Sequence, residues 1–80
     1  MSDVISEMHQ LDARRLLCPL PVIRTQNAVK NLQKGSIILV IATDPGVMHD
    51  IPAWCRVHGH RVLSAEKIDN EFHICLEVGV

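Results

Sequence analysis

An unbroken apolar run, Ile37 to Ala42, is the feature that most constrains how this chain can fold. Six consecutive aliphatic residues rich in β-branched side chains are typical of a strand buried in the middle of a sheet. A chain of 80 residues has to cover such a strand with few elements, because it is too short to build a second core. The run therefore predicts the central strand of a small sheet in one two-layer domain.

The segment before the central strand has the spacing of an amphipathic helix that stops near Gly35. Pro19 and Pro21 fit its first turn, where a missing N–H leaves no hydrogen bond unmade. Cys18 is therefore predicted at the helix N-cap. The predicted buried stripe, at intervals of three and four residues, consists of Val22, Thr25, Val29 and Leu32, with Ala28 beside it.

A second helix is predicted between the turn after the central strand and Gly59. We interpret Asp44 and Asp50 as capping residues of this helix rather than as a carboxylate pair with a chemical role. Pro52 is best accommodated if the regular helix begins at Ile51, with one looser turn before it. The predicted buried stripe consists of Val47, Ile51, Trp54, Cys55 and His58.

The remaining segments alternate apolar and polar residues as strands do. Residues 9–14 predict a first strand, and residues 61–68 and 71–78 predict a hairpin around the turn Asp69-Asn70. The last strand is expected to put Phe72, Ile74, Leu76 and Val78 on one face. The order βαβαββ predicts an α/β two-layer sandwich, with a mixed four-stranded sheet and both helices on one face. Residues 9–80 form this single domain, and residues 1–8 are expected to be a disordered or loosely ordered tail.

Charge and aromatic content argue against several classes of partner. The chain has 8 Lys+Arg against 9 Asp+Glu, a formal net charge of -1, and Trp54 and Phe72 as its aromatic residues. Bulk-charge attraction and base-stacking platforms are therefore both disfavoured, and we expect no direct stable nucleic-acid binding. The longest apolar run is too short to span a bilayer, and the N-terminus has no signal-peptide pattern, so we expect a cytoplasmic protein without membrane attachment.

Cys18 is the strongest candidate for chemistry. A thiol at a helix N-terminus faces unpaired N–H groups and the positive end of the helix dipole, and both favour the thiolate. Arg14 and Arg15 add positive potential if their side chains turn toward the loop. Pro19 and Pro21 stiffen the first turn and present the thiol at a fixed rim. The predicted site is thus a nucleophilic Cys18 with four supporting residues; the competing interpretation is a buried structural cysteine.

Two other interpretations stay open. Cys55, His58 and His60 are of the types that zinc prefers and lie within six residues, so a regulatory or metal-binding module is the alternative from another class. Zinc fingers bring ligands from two separated segments, which this cluster lacks, so no metal is predicted. A redox sensor needs a cysteine that resolves oxidised Cys18, and Cys55 is predicted to be too buried for that.

The motifs Leu11-Asp12-Ala13 and Cys18-Pro19-Leu20-Pro21 together resemble the N-terminal signature of the TusA (SirA-like) sulfur carrier family, whose CPxP motif opens the first helix. Residues 42–45 (Ala-Thr-Asp-Pro) and 50–55 (Asp-Ile-Pro-Ala-Trp-Cys) are similar to that family's second-helix region. The resemblance runs from about residue 9 to the end of the chain.

The resemblance implies a βαβαββ domain in which Cys18 accepts persulfide sulfur from a cysteine desulfurase and relays it to a downstream acceptor protein. The destination it favours is the 2-thio group of tRNA; relatives serve molybdenum cofactor supply or sulfur and thiosulfate oxidation. It also implies a sulfurtransferase-type carrier with a covalent cysteine persulfide and no cofactor. Partners are expected to dock on the loop before Cys18 and on the exposed sheet face. Many members have Gly three residues before the cysteine, where this chain has Arg15, so a different loop path is expected.

Overall fold

The secondary structure follows the predicted order βαβαββ. A computed structural model describes residues 8–80 of the chain. The elements are β1 (Met8–Ala13), α1 (Leu20–Val29), β2 (Ile37–Ala42), α2 (Val47–His58), β3 (Arg61–Ile68) and β4 (Glu71–Glu77). Of the predicted N-terminal tail, residues 1–7 lie outside the described residues, and Met8 opens β1. Neither helix in residues 8–80 is long and apolar enough to cross a membrane.

The four strands form one mixed sheet in the order β1-β2-β4-β3. β1 pairs in parallel with β2, whereas the β2–β4 and β3–β4 pairs are antiparallel. β2 therefore occupies an interior position, as its sequence predicts. Because β1 and β2 are parallel neighbours with Ala13 opposite Ala42, their carboxyl ends meet at one edge of the sheet. The loops that leave those two ends are brought together there.

One face of the sheet carries both helices, which confirms the predicted two-layer arrangement. Alternate residues of each strand point to that face because side chains in a strand alternate. The buried core is formed by Ala13, Val29, Ile38, Val40, Ala42, Val47, Ile51, Cys55, Ile74, Leu76 and Val78. On the other face of β2, Ile37 and Leu39 are only half-buried. The central strand is thus fully covered on one face only, since no helix lies over the second.

α1 is shorter than predicted. It ends at Val29, and tighter turns continue the chain through Leu32, whose N–H donates to the carbonyl of Val29. Pro21, Thr25 and Val29 are the buried residues of α1, while Val22 is half-buried. Pro21 joins the buried face because its carbonyl accepts the Thr25 hydroxyl at 2.8 Å inside the core.

α2 begins earlier than predicted. It runs unbroken from Val47 through Pro52, so the expected start at Ile51 is wrong. The helix tolerates the proline because Val47, Ile51 and Cys55 hold both sides of it in the core. Its end is as predicted, at Gly59 in the left-handed conformation with φ 84°. His58 is exposed rather than buried, since its ring lies against Trp54 at the helix surface with a centroid distance of 5.4 Å.

Candidate functional site

Cys18 lies in the loop between β1 and α1, at the edge where β1 and β2 end. α1 begins at Leu20 with Pro19 as N-cap, so Cys18 precedes the N-cap and the predicted capping position is wrong. The reason is a tertiary hydrogen bond: the Cys18 N–H donates to Asp44 Oδ2 at 2.8 Å instead of taking part in the helix. The thiol is exposed.

The loop after β2 holds the Cys18 loop at two points. The Arg15 N–H donates to the Thr43 hydroxyl at 2.8 Å, three residues before the Cys18–Asp44 bond. Asp44 also accepts the Gly46 N–H at 3.1 Å through its second oxygen. These backbone donors, Gly46 first and then Cys18, lower the pKa of the Asp44 carboxyl from its usual 3.8. An ionised Asp44 therefore fixes the position of the cysteine backbone.

Asp50, in the first turn of α2, accepts a hydrogen bond from the thiol itself. Cys18 Sγ donates to Asp50 Oδ2 at a distance of 3.0 Å. This hydrogen bond, followed by partial desolvation and by the negative charges of Asp50 and Asp44, raises the pKa of the Cys18 thiol. The predicted stabilisation of the thiolate is therefore not found, because the hydrogen bond to Asp50 and the charges of both carboxylates act in the opposite direction.

The same geometry corrects the interpretation of the two aspartates. No side chain caps α2, whose N-cap is Gly46, so Asp44 and Asp50 are not helix caps. They form a pair of carboxylates directed at Cys18, one at its backbone and one at its sulfur. The sequence contains one usable signal for this: Asp44 lies two residues after the buried strand β2, which pairs in parallel with the strand preceding the cysteine.

The two arginines do not supply the predicted positive potential. Arg14 Nε is 2.9 Å from Asp12 Oδ1, and a terminal nitrogen of the same guanidinium is 3.1 Å from Glu71 Oε2. The pairing lowers the pKa of Asp12 to about 2. Arg14 is thus paired with carboxylates of β1 and β4, and the charges that raise the pKa of the Cys18 thiol are those of Asp50 and Asp44.

Arg15 has an unusual backbone conformation for a non-glycine residue. Its φ of 67° lies in the left-handed region, which glycine enters at the least cost. The side chain lines an open polar cleft of about 590 Å³ at the same sheet edge. The residues around this cleft are Asp12, Arg14, Arg15, Thr43, Asn70 and Glu71. Cys18 is not among them, so the thiol stands on an open surface beside the cleft rather than inside it.

Three large aliphatic side chains close to Cys18 in the chain are exposed. Leu17 is 73% exposed, Leu20 45% and Ile23 44%; we refer to these three residues as the apolar rim. They lie within five residues of Cys18 along the chain. Pro21, the second helical residue, anchors the helix start between them by its buried position. Exposed large aliphatic side chains grouped in this way are typical of surfaces that contact another protein.

Two of the histidines, His58 and His60, and the second cysteine lie in a separate region toward the C-terminal end of α2. The Trp54 ring is stacked on His60, with a centroid distance of 4.8 Å, and His60 Nδ1 accepts the Gly79 N–H at 3.0 Å. Burial lowers the pKa of His60. Cys55 is 1% exposed beneath these rings. Among residues 8–80, no group of three or more His, Cys, Asp or Glu side chains is arranged to hold a metal ion.

Comparison with known proteins identifies the family. The family model described as Sulfurtransferase TusA matches residues 9–78. The chain belongs to the TusA family. Two proteins of Neisseria meningitidis, from serogroups A and B, both named "Putative sulfur carrier protein", are 39% identical to this TusA-family chain over 67 residues. Each match covers 84% of the chain and 90% of the relative.

A solved structure has the same TusA-type architecture. The SirA-like protein from Desulfitobacterium hafniense superposes with a TM-score of 0.79 at 23% identity. The match covers 91% of this chain and 100% of that structure. It confirms the predicted fold, and the family match confirms the predicted membership of the TusA family.

Proposed function

We propose that this protein is a cytoplasmic sulfur carrier in which Cys18 accepts a sulfur atom from the persulfide of a cysteine desulfurase and relays it to a downstream acceptor protein. The observation that carries the proposal is the placement of Cys18. Its thiol is exposed, lies outside the neighbouring cleft, and is held at a fixed position by Asp44 and Asp50. The membership of the chain in the TusA family supports the same chemistry.

The proposed transfer needs only a persulfide donor and the Cys18 thiol. The donor persulfide R–S–SH and the Cys18 thiol give the Cys18 persulfide and the donor thiol R–SH, so no net oxidation occurs and no cofactor is consumed. A sulfur–sulfur bond forms at Cys18 as the donor's sulfur–sulfur bond breaks. A second exchange of the same kind passes the sulfur to the acceptor. The protein must therefore present one thiol to two partners in turn, which suits a cysteine on an open surface.

The apolar rim supports protein partners rather than small molecules. Leu17, Leu20 and Ile23 are exposed within five residues of Cys18 along the chain and offer aliphatic contact area to a docking surface. A donor and an acceptor that share this rim have to bind one after the other, as a relay requires.

The resemblance favours tRNA 2-thiouridine as the final destination of the sulfur. The net charge of -1 suits a carrier that hands sulfur to another protein instead of binding tRNA directly. Sulfur oxidation and molybdenum cofactor supply use the same thiol chemistry at Cys18, and the acceptor decides among these destinations.

The experiment is intact-protein mass spectrometry after incubation with a cysteine desulfurase and cysteine. We expect the wild-type chain to gain one sulfur atom that a reductant removes. Cys18→Ser should gain none, whereas the matched variant Cys75→Ser, which removes a half-exposed thiol on the outer sheet face, should load like wild type. Loading of Cys18→Ser, or loss of loading in Cys75→Ser, would contradict the proposal.

A further inference from the structure

The contact between Cys18 and Asp50 has a consequence for how the thiol reacts. The sulfur-to-Oδ2 distance is 3.0 Å, and the Asp50 side chain is 37% exposed. The second oxygen, Oδ1, lies 3.8 Å from Nδ1 of His49, whose side chain is 85% exposed. One oxygen of the carboxylate therefore faces the reacting sulfur, while the other faces an exposed imidazole and solvent.

The other charged groups near Cys18 have other partners, and the carboxylate in contact with the sulfur is that of Asp50. From the loop after β2, the Asp44 carboxylate is occupied by the N–H groups of Cys18 and Gly46. From the loop after β1, Arg14 is paired with the carboxylates of Asp12 and Glu71. From α2, His49 reaches the far oxygen of Asp50. No base other than Asp50 contacts Cys18 Sγ in the described part of the chain.

A thiol held by a carboxylate is a poor nucleophile until its proton is removed, because the thiolate is the reactive form. We propose that Asp50 is the proton-transfer residue of Cys18: Oδ2 accepts the thiol proton as Sγ attacks a sulfane sulfur and delivers it to the departing thiolate. This inference rests on the proposed carrier function and adds to it the residue that moves the proton.

The step balances without an external acid, base or oxidant. Sγ forms a bond to the outer sulfur of R–S–SH. The sulfur–sulfur bond of the donor breaks, and its electron pair leaves on R–S⁻. The proton passes from Cys18 to Asp50 and then to R–S⁻, giving R–SH. When an acceptor thiol later attacks the Cys18 persulfide, Sγ departs as a thiolate and regains a proton by the same route in reverse.

The test compares two reactions of the same thiol in Asp50→Asn. Iodoacetamide reports how much thiolate is present, whereas glutathione persulfide reports sulfur acceptance without a protein partner. The substitution removes the carboxylate whose hydrogen bond and negative charge raise the pKa of Cys18, so alkylation near neutral pH should become several-fold faster. Sulfur loading should become slower, so that the ratio of loading rate to alkylation rate falls at least about tenfold.

Asp69→Asn is the matched control, since it removes a carboxylate at the hairpin turn, where Asn also tolerates a positive φ. It should change neither rate. Continued protection of the buried Cys55 from iodoacetamide shows that Asp50→Asn is folded. If both reactions accelerate together in Asp50→Asn, or if their ratio stays at the wild-type value, Asp50 does not transfer the proton. Failure of the wild type to load from any persulfide would instead overturn the carrier function itself.

Discussion

Cys18 and Cys55 both have a raised thiol pKa, but for different physical reasons. The pKa of Cys18 is raised mainly by one hydrogen bond to Asp50 on an exposed surface. The pKa of Cys55 is raised to about 11 by burial in the core. A side-chain contact can be rearranged by a docking partner, whereas burial is removed only by unfolding. The first thiol is therefore reachable for the proposed sulfur transfer, and the second is part of the core.

The largest expected effect is the difference in accessibility of the two thiols. Cys18 should react with iodoacetamide at least about 100-fold faster than Cys55 in the folded protein, because Cys55 becomes reachable only on unfolding, which costs on the order of 5 kcal/mol in a small domain. Peptide mapping of an alkylation time course gives both rates, and denaturant should make them similar. Alkylation rates of Cys18 and Cys55 that lie within about tenfold of each other in the folded protein would contradict the difference in accessibility.

A small core substitution should affect only one of the two thiols. Ile74 is fully buried in β4, so Ile74→Val should lower the free energy of unfolding by about 0.5–1.5 kcal/mol. If Cys55 reacts through unfolding, its alkylation should become roughly 2-fold to 10-fold faster while Cys18 keeps its wild-type rate. The same time course measures both. An equal acceleration of Cys18 would show that its loop opens together with the core.

The loop that carries Cys18 contains strain that can be removed. Arg15 has a φ of 67°, so Arg15→Gly should raise the free energy of unfolding by about 0.5–1 kcal/mol, the relief of strain less the added entropy of the unfolded chain. Urea unfolding measures this change. Asp69→Gly is the matched control at φ 56°, and it should gain less because Asp tolerates the left-handed region better than Arg. A lower free energy of unfolding in Arg15→Gly would contradict the interpretation that the Arg15 backbone is strained.

Lowering the pH should protonate carboxylates at the end of the sheet that carries the Cys18 loop, and it should leave the core packing unchanged. Asp12, Asp44 and Glu71 have pKa values below their usual ones, so their ionised forms favour the folded state. That contribution is fully present above about pH 4.5 and is lost as the pH falls toward 2. In an NMR titration, the amide signals of Cys18 and Gly46 should move together with a midpoint below 3.8.

The core amides serve as the internal control of that titration. The signals of Val40 and Ile74 should not follow the Asp44 midpoint, since both residues are fully buried away from it. A Cys18 amide that stays unmoved through the titration would contradict the hydrogen bond to Asp44.

Local sequence signals predicted the parts of the fold that depend on local chemistry. The apolar run gives β2 with its observed bounds, the Asp69-Asn70 turn gives the hairpin, and Gly59 gives the end of α2. Errors occurred where tertiary contacts decide the local structure. The start of α1 moved past Cys18 because Asp44 binds the cysteine N–H, and α2 passed through Pro52 because the core holds both sides of it.

The same limit explains the error about the thiol. Cys18 and Asp50 are 32 residues apart, and only the parallel pairing of β1 with β2 brings their loops together. The position of Cys18 beside a helix start was visible in the motif, so the dipole could be anticipated. The carboxylates that raise the pKa of the thiol come from another segment, and their approach to Cys18 depends on the pairing of β1 with β2 rather than on a local pattern.

The most direct test of the account is to locate the transferred sulfur in the wild-type protein. Trypsin places each cysteine in a different peptide, with Cys18 in residues 16–24, Cys55 in residues 35–56 and Cys75 in residues 68–80. The protein is incubated with a cysteine desulfurase and cysteine, then alkylated and digested. We expect one extra sulfur in the Cys18 peptide and none in the other two. An extra sulfur in the Cys75 peptide, or in no peptide, would contradict it.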